Sequence, residues 1–586
     1  MKKKMLASIV ALSSMSLGIV GVSAGLSGAS VANPTVLTEE TNVGVTFTDN
    51  FNPIDANSVG TSMAVNALSF EPLIQFDSLK AGVSYPWIAS SMVLSNAGKT
   101  VTFTINSKAK WAAGGAVTAT DVANEFNAIN TQTGFNTFGV SPLSGAAVAS
   151  GNKVTLNFAS AQYSNETSLG SVLVFPVAGD AGIPTTDDIT GATQVLAHGN
   201  VDSNGPYTPT AYTSSLLTFK QNANWGITAK PYVTEVHVPS IASNQAATEA
   251  LAAHQLDWAG NDIPQIQSTY VAKDPAHNKY YYAPGSTVTL WFNLGPNAPD
   301  ANSSCLADYH FRKAVSMAMN RSTLSSIGET GYEPPATSSS GLMPSQASYE
   351  GSYANDFSKA PYSLTGASAS AVDAYLTSNG YNLDLNGFIQ VHTSTAATNT
   401  GLSIGTECHF NIIDPSGYSD YAEDEQLISA TLQGDNINVT AQGVTTSTWY
   451  GAYYGSGAWD AMVHWGNGGT NPYTQFQNWL DDSGQVSSGV PTNGADFGDY
   501  INPTAQTDLS NLAAAAPGTA AFQTAVTALS AIMSTQVPEA PILYGADWDV
   551  YSTARFTGWV TPTNQYGYPG PGNSDIALVL THLTKA

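Results

Sequence analysis

The residues that usually announce catalysis are absent or misplaced in this chain. The one Gly-x-Ser-x-Gly match, Gly21-Val22-Ser23-Ala24-Gly25, lies in the N-terminal apolar segment, where no nucleophile elbow can form. No His-Glu-x-x-His, P-loop, Cys-x-x-Cys or strand-following Gly-x-Gly-x-x-Gly is present. An acidic cluster, Asp420, Glu423, Asp424 and Glu425, reads as a solvated helix start, its carboxylates near the positive end of the helix dipole. None of the nine histidines has a chelating partner at helical spacing. No catalytic residue, metal ligand or cofactor is therefore expected. The two cysteines, Cys305 and Cys408, either pair in an oxidising compartment or remain two buried thiols.

The start of the chain explains why such a compartment is expected. Lys2, Lys3 and Lys4 precede an apolar stretch from Met5 to Val22, with small-residue cleavage options at Val22-Ser23-Ala24 and Ser30-Val31-Ala32. Residues 1–32 read as an export signal, and no cysteine near either option offers a lipid attachment point. The protein is expected in the periplasm or outside the cell, associated with the envelope. Charged residues make up only 10%, with 18 Lys+Arg against 43 Asp+Glu and a net charge of -25. Ordinary domains carry about 25%. Such a surface repels phosphate backbones, which argues against nucleic acid as a partner. A lysine-poor, acid-rich surface also suits an acidic exterior, where carboxylates are neutralised.

The chain far exceeds the ~250–300 residues at which a single core stops growing, so more than one lobe is required. Alternation marks strands at Val101–Ile105 and Val154–Phe158. Between them Thr118 and Asp121 form a capping box that opens a helix. A helix is expected over Ser62–Gln75, a strand over Thr287–Asn293, an amphipathic helix over Phe311–Met319 and a strand over Trp459–His464. No repeat of 20–50 residues appears, which argues against a structural surface-layer protein. The class is α/β.

Several ordered segments resemble the bacterial extracellular solute-binding proteins of the peptide/nickel type, family 5. They are Asn52-Pro53-Ile54-Asp55, Phe70-Glu71-Pro72-Leu73, and the block from Leu94 to Phe126 with Thr100-Val101-Thr102-Phe103, Trp111, Gly114-Gly115 and Thr118–Val122. Gly205-Pro206-Tyr207, Phe311-Arg312-Lys313-Ala314-Val315, Asn320-Arg321 and Pro538–Ile542 follow in the family's order. The resemblance implies a two-lobed periplasmic-binding-protein-like fold with a hinge, a receptor role, and the membrane permease of an ABC importer as partner. It places residues 33–68, 198–283 and 540–586 in one lobe, an inserted subdomain at 69–197, and the second lobe at 286–539. Hinge crossings are expected near Pro284-Gly285 and Pro538.

The resemblance also points to ligand contacts: Asn57, Ser58 and Val59 in a loop of the first lobe; Phe292 and Asn293 beyond a crossing; Trp449; and Trp465, Gly466, Asn467 and Asn471 at a strand end. Each has a plainer reading, Trp449 as core and the asparagines as turn formers. Oligopeptide-binding relatives carry an aspartate shortly after the tryptophan matching Trp465, and here Gly466-Asn467-Gly468-Gly469 contains no acid. From Lys359 to Arg555 there is neither Lys nor Arg between, so a peptide carboxylate lacks an obvious partner in the second lobe. The expected ligand is a small oligopeptide, with an oligosaccharide as the alternative.

Overall fold

The structure, a computed structural model, describes residues 34–586 except 133, 181–186, 416–418, 487–488, 493 and 573–574, and omits the side chains of 419, 420 and 467. Residues 1–32, read as an export signal, lie outside the described residues.

Three sheets organise the chain. A seven-stranded sheet runs in the order Asn278–Tyr280, Val550–Ser552, Trp258–Ala259, Val36–Glu40, Glu235–Pro239, Leu216–Gln221, Tyr207–Thr213. A five-stranded sheet has the order Asn438–Val444, His409–Pro415, Ala461–Gly468, Ala283–Phe292, Glu539–Asp547. A four-stranded antiparallel sheet is built from Ala89–Ser95, Thr100–Ile105, Lys153–Asn157 and Val148–Ser150. Helices and sheets mix throughout, and Thr35–Ala586 forms one compact unit.

Local sequence accounts for the small sheet directly. Along Thr100–Ile105 the apolar residues Val101, Phe103 and Ile105 are buried and the intervening threonines are not. The helix Ala119–Thr131 starts at the Thr118/Asp121 capping box and buries Val122, Phe126 and Ile129. Phe126 stacks on Phe103 with ring centroids 5.9 Å apart, fixing helix to sheet.

Elsewhere the structure departs from expectation. The single helix over Ser62–Gln75 is two short ones, Val59–Ser62 and Asn66–Ser69, followed by the strand Ile74–Phe76. Ala64 between them has φ 51°, a left-handed turn that no continuous helix contains. The helix Ser419–Gly434 does carry the acidic cluster, but Asp424 and Glu425 are buried, not solvated. Glu425 accepts the Gln442 N–H at 2.6 Å. Burial and the neighbouring Asp414 raise its pKa, so it is held as a neutral acid.

The seven- and five-stranded sheets are joined by one two-stranded ribbon. Ala283–Phe292 pairs antiparallel with Glu539–Asp547 from Ala283 opposite Asp547 to Trp291 opposite Glu539. Beyond that, Tyr281 N–H donates to the Asp549 carbonyl at 2.9 Å, and Asn278–Tyr280 pairs with Val550–Ser552. Both strands thus stay paired within the five-stranded sheet as far as Ala283 and Asp547, beyond Pro284-Gly285 on one strand and well past Pro538 on the other. At the ribbon, a Cβ on Gly285 would meet Asp547 Oδ1 at 1.8 Å, so any larger residue there would have to displace the Asp547 carboxyl.

The resemblance motifs around Arg312 and Arg321 prove to be braces of this region. Arg312 donates to the carbonyls of Val537 (2.7 Å), Gln536 (2.6 Å) and Leu306 (2.5 Å). Arg321 donates to the Pro541 carbonyl at 2.8 Å and lies over the Phe357 ring. Cys305 and Cys408 form a disulfide, settling the alternative left open by the sequence.

Candidate functional site

The strand Ala461–Gly468 sits between His409–Pro415 and Ala283–Phe292, and its C-terminal end supplies two recesses. The first is aromatic, about 370 Å³, lined by Tyr453, Tyr454, His464, Trp465, Gly466, Asn478, Val490, Pro491, Thr492, Gly494 and Phe497. Its back wall is a stack of rings. His464 lies 4.7 Å from Trp449 and 4.1 Å from Tyr453, and Tyr453 lies 4.1 Å from Phe497, each pair within 26° of parallel. His464 donates from Nδ1 to the Trp465 carbonyl at 2.5 Å, and burial pushes its pKa down to about 4. Trp465 is half-buried against His464 and Trp449, leaving part of its indole for the recess.

The second recess is a slot between the five-stranded body and the segment around 75–84 and 163–171. It has two adjoining chambers. One, about 160 Å³, is lined by Phe76, Tyr163, Tyr349, Tyr473, Leu512 and Phe522, with Glu166 at its edge. The other, about 380 Å³, is lined by Gln75, Asp77, Ser78, Ser168, Ser171, Gly468, Gly469, Thr474 and Asp575. Ser164, Thr167, Phe76, Thr470 and Asn471 line both. Burial raises the pKa of Glu166 and of Asp77, favouring their neutral forms.

The loop between strand and helix is held by its own carbonyls. Gln475 Nε2 donates to Gly468 O at 2.9 Å, and Gln346 Nε2 to Gly469 O at 3.1 Å. Asn471 caps the helix Pro472–Leu480, its Oδ1 accepting the Tyr473 N–H at 3.0 Å, with Pro472 in the first turn. Its Nδ2 donates to the Ser164 carbonyl at 2.8 Å, directly across the slot.

Trp465, Gly466 and Asn471 therefore line recesses, and the side chain of Asn467 lies outside the described ones. Trp449 supports the aromatic recess from behind and is fully buried. The remaining expected contacts are placed elsewhere. Phe292 is core, because both faces of the central strand Ala283–Phe292 are covered over residues 287–292. Asn293 is buried, donating to the carbonyls of Gly457 and Trp459 and accepting from Gly295 N–H. Ser58 caps the Val59–Ser62 turn, Val59 is core, and Asn57 is exposed. None of these three lines either recess. Residues that sequence reasoning missed are Tyr163, Ser164, Tyr349, Tyr473 and Phe522, along with Tyr453, Tyr454 and Phe497. Only the aromatic run from Trp449 to Tyr454 was visible as a local signal.

Among the described residues lining these recesses none is Lys or Arg. Among the described residues no group of three His, Cys, Asp or Glu is placed to hold a metal ion, and no helix is long and apolar enough to cross a membrane. The arrangement offers ring faces, hydroxyls, amides and a few acids.

A mixed α/β fold of two sheet-centred lobes joined by a strand ribbon, with a cleft of this kind, defines a ligand-enclosing binding protein. Residues 84–487 match the bacterial extracellular solute-binding proteins, family 5, and the chain belongs to that family. The fold is shared with a periplasmic oligopeptide-binding protein of an oligopeptide ABC transporter from Thermotoga maritima, at 21% identity and TM-score 0.76, covering 95% of this chain and 100% of that one. The mannohexaose-bound form of the Thermotoga maritima protein aligns at 21% identity and TM-score 0.70, covering 94% and 99%. NikA from Brucella suis, in complex with Fe(III)-EDTA, aligns at 16% identity and TM-score 0.69, covering 94% and 100%. No curated protein matches the chain.

Proposed function

We propose that this chain is the extracytoplasmic receptor of an ABC importer and that it encloses an uncharged, hydroxyl-rich oligomer, an oligosaccharide, between its lobes. The observation that carries this reading is the lining: aromatic rings, hydroxyls, amides and the three acids Asp77, Glu166 and Asp575, with no Lys or Arg among the described residues. A carboxylate enclosed there would be desolvated without a partner, at a cost of several kcal/mol. Sugar faces pack on rings such as Trp465 and Tyr454, and sugar hydroxyls pair with groups such as Asn471, Thr470 and Ser164. The solved relative that holds mannohexaose supports the same ligand class. The lobes would be the seven-stranded body with its inserted four-stranded subdomain, and the five-stranded body, parting at the ribbon near Gly285 and Asp547. Ligand passes from there to a membrane permease.

The oligopeptide expected from the sequence is the second reading. Asp77 and Asp575 in the larger chamber favour it, since either could receive a ligand ammonium group. Tryptophan fluorescence titration with separate pools of neutral oligosaccharides and of oligopeptides decides between them. A saturable emission change with the saccharide pool alone is expected. A response to peptides alone overturns the saccharide reading, and turnover of either pool overturns the receptor reading.

A further inference from the structure

The side chain of Asn471 does two things at once. Its Oδ1 caps the helix Pro472–Leu480, and its Nδ2 reaches across the slot to the Ser164 carbonyl. Ser164 is itself buried, and it lies in the segment that leads into the helix Glu166–Gly170 on the opposite wall. Both residues line the aromatic chamber and also the hydroxyl-rich chamber. Their hydrogen bond therefore runs where the two chambers adjoin, from one wall to the other.

We propose that Asn471 is a specificity-determining residue that partitions the slot and so sets the length of ligand the receptor prefers. The inference rests on the reading of the slot as the ligand site. A ligand confined to one chamber leaves the Asn471–Ser164 bond intact and is enclosed by it. A longer oligomer that occupies both chambers has to displace that bond and must supply a replacement acceptor for Nδ2 and a donor for the Ser164 carbonyl. A half-buried amide and a buried carbonyl left without partners are costly, so an oligomer that cannot replace both is rejected. The chemistry of the two chambers adds direction: a ring face suits the aromatic one, and a cluster of hydroxyls the other. An oligomer long enough to engage both must place a hydroxyl at the partition.

The geometry supplies a clean variant. Asn471→Ser keeps an N-cap oxygen while removing the amide that crosses the slot. Affinities of a neutral disaccharide and a hexasaccharide are measured by calorimetry for the wild type and for Asn471→Ser. The hexasaccharide-to-disaccharide affinity ratio should rise at least about tenfold in the variant. Asn471→Asp, which retains the cap and the side-chain length but has no donor for Ser164, should shift the ratio the same way. Circular dichroism confirms that each variant is folded. Equal losses for both ligands would make Asn471 a closing contact only and overturn the partition, as would an unchanged ratio. If the wild type binds neither saccharide, the saccharide reading fails, and the same ratio is read with a dipeptide and a hexapeptide. Binding of none of the four overturns both proposals.

Discussion

His464 lies nearly parallel to the indole of Trp449, 15° between planes and 4.7 Å between centroids, while its Nδ1–H is committed to the carbonyl of Trp465. The imidazole thus links a tryptophan that is entirely core to one that reaches the recess. Substitution should separate the two roles. Trp449→Ala should cost about 3–5 kcal/mol of stability, the usual result of emptying a large core site. Trp465→Ala should leave the melting temperature nearly unchanged and weaken ligand binding about tenfold, which is ~1.4 kcal/mol. Denaturant titration and calorimetry measure both. An unaffected affinity in Trp465→Ala would remove that residue from the site.

The buried acids predict an unusual pH profile. Burial raises the pKa of Glu39, Glu71, Glu125, Asp496, Glu539 and Asp549 well above the ordinary carboxylate range. Glu40 and Asp180 are pushed up to about 7 and Asp547 to about 8. Each has a higher pKa folded than unfolded, so its folded form prefers the proton. The stability this gives is complete below the unfolded value of about 4 and is lost as pH rises toward 7–8. His464 acts oppositely: its folded pKa of about 4 lies below its unfolded one, so stability falls as pH drops from about 6.5 to 4. Burial lowers the pKa of His310 as well, but two histidines oppose the nine acids, and acid also relieves repulsion in a chain of net charge -25. The melting temperature should therefore be higher near pH 4.5 than near pH 8. The reverse order would contradict this account and the expectation of an acidic exterior.

The Cys305–Cys408 disulfide spans a sequence separation of 103 residues. In the chain-entropy model a loop of this size contributes roughly 4–5 kcal/mol. Denaturant unfolding with and without reductant should differ by about that amount. A difference under ~1 kcal/mol would show that the loop is already constrained in the unfolded chain.

Gly468 closes the strand that carries the site, and a Cβ there would lie 1.8 Å from the Gly285 carbonyl on the ribbon. Gly468→Ala must push strand and ribbon apart, costing about 1–3 kcal/mol, as overpacking does. It should weaken ligand binding too. Gly451, at the end of the helix Thr446–Gly451, has nothing within 4 Å of such a Cβ, so Gly451→Ala serves as the neutral control.

Much of this architecture was legible in the sequence because it is encoded locally. The alternation of Val101, Phe103 and Ile105 marks a strand with one covered face, and Thr118 with Asp121 marks a helix start. Alternation failed at Phe292, since a central strand covered on both faces is apolar throughout. Ser58 caps the Val59–Ser62 turn, and an N-cap serine and a ligand-contacting serine have the same local sequence. The resemblance places a crossing near Pro538, while Glu539–Asp547 beyond it stays paired in the five-stranded sheet, and pairing is a long-range property. The slot was the least legible feature. Tyr163, Tyr349, Tyr473 and Phe522 come together from four distant segments, and none carries a spacing that sets it apart from ordinary core aromatics.

The most direct test of the central claim is native mass spectrometry of the purified receptor after exposure to mixed neutral oligosaccharides and oligopeptides. The account predicts one bound molecule whose mass is a whole number of sugar units. A bound peptide, or no retained ligand from either mixture, would contradict it.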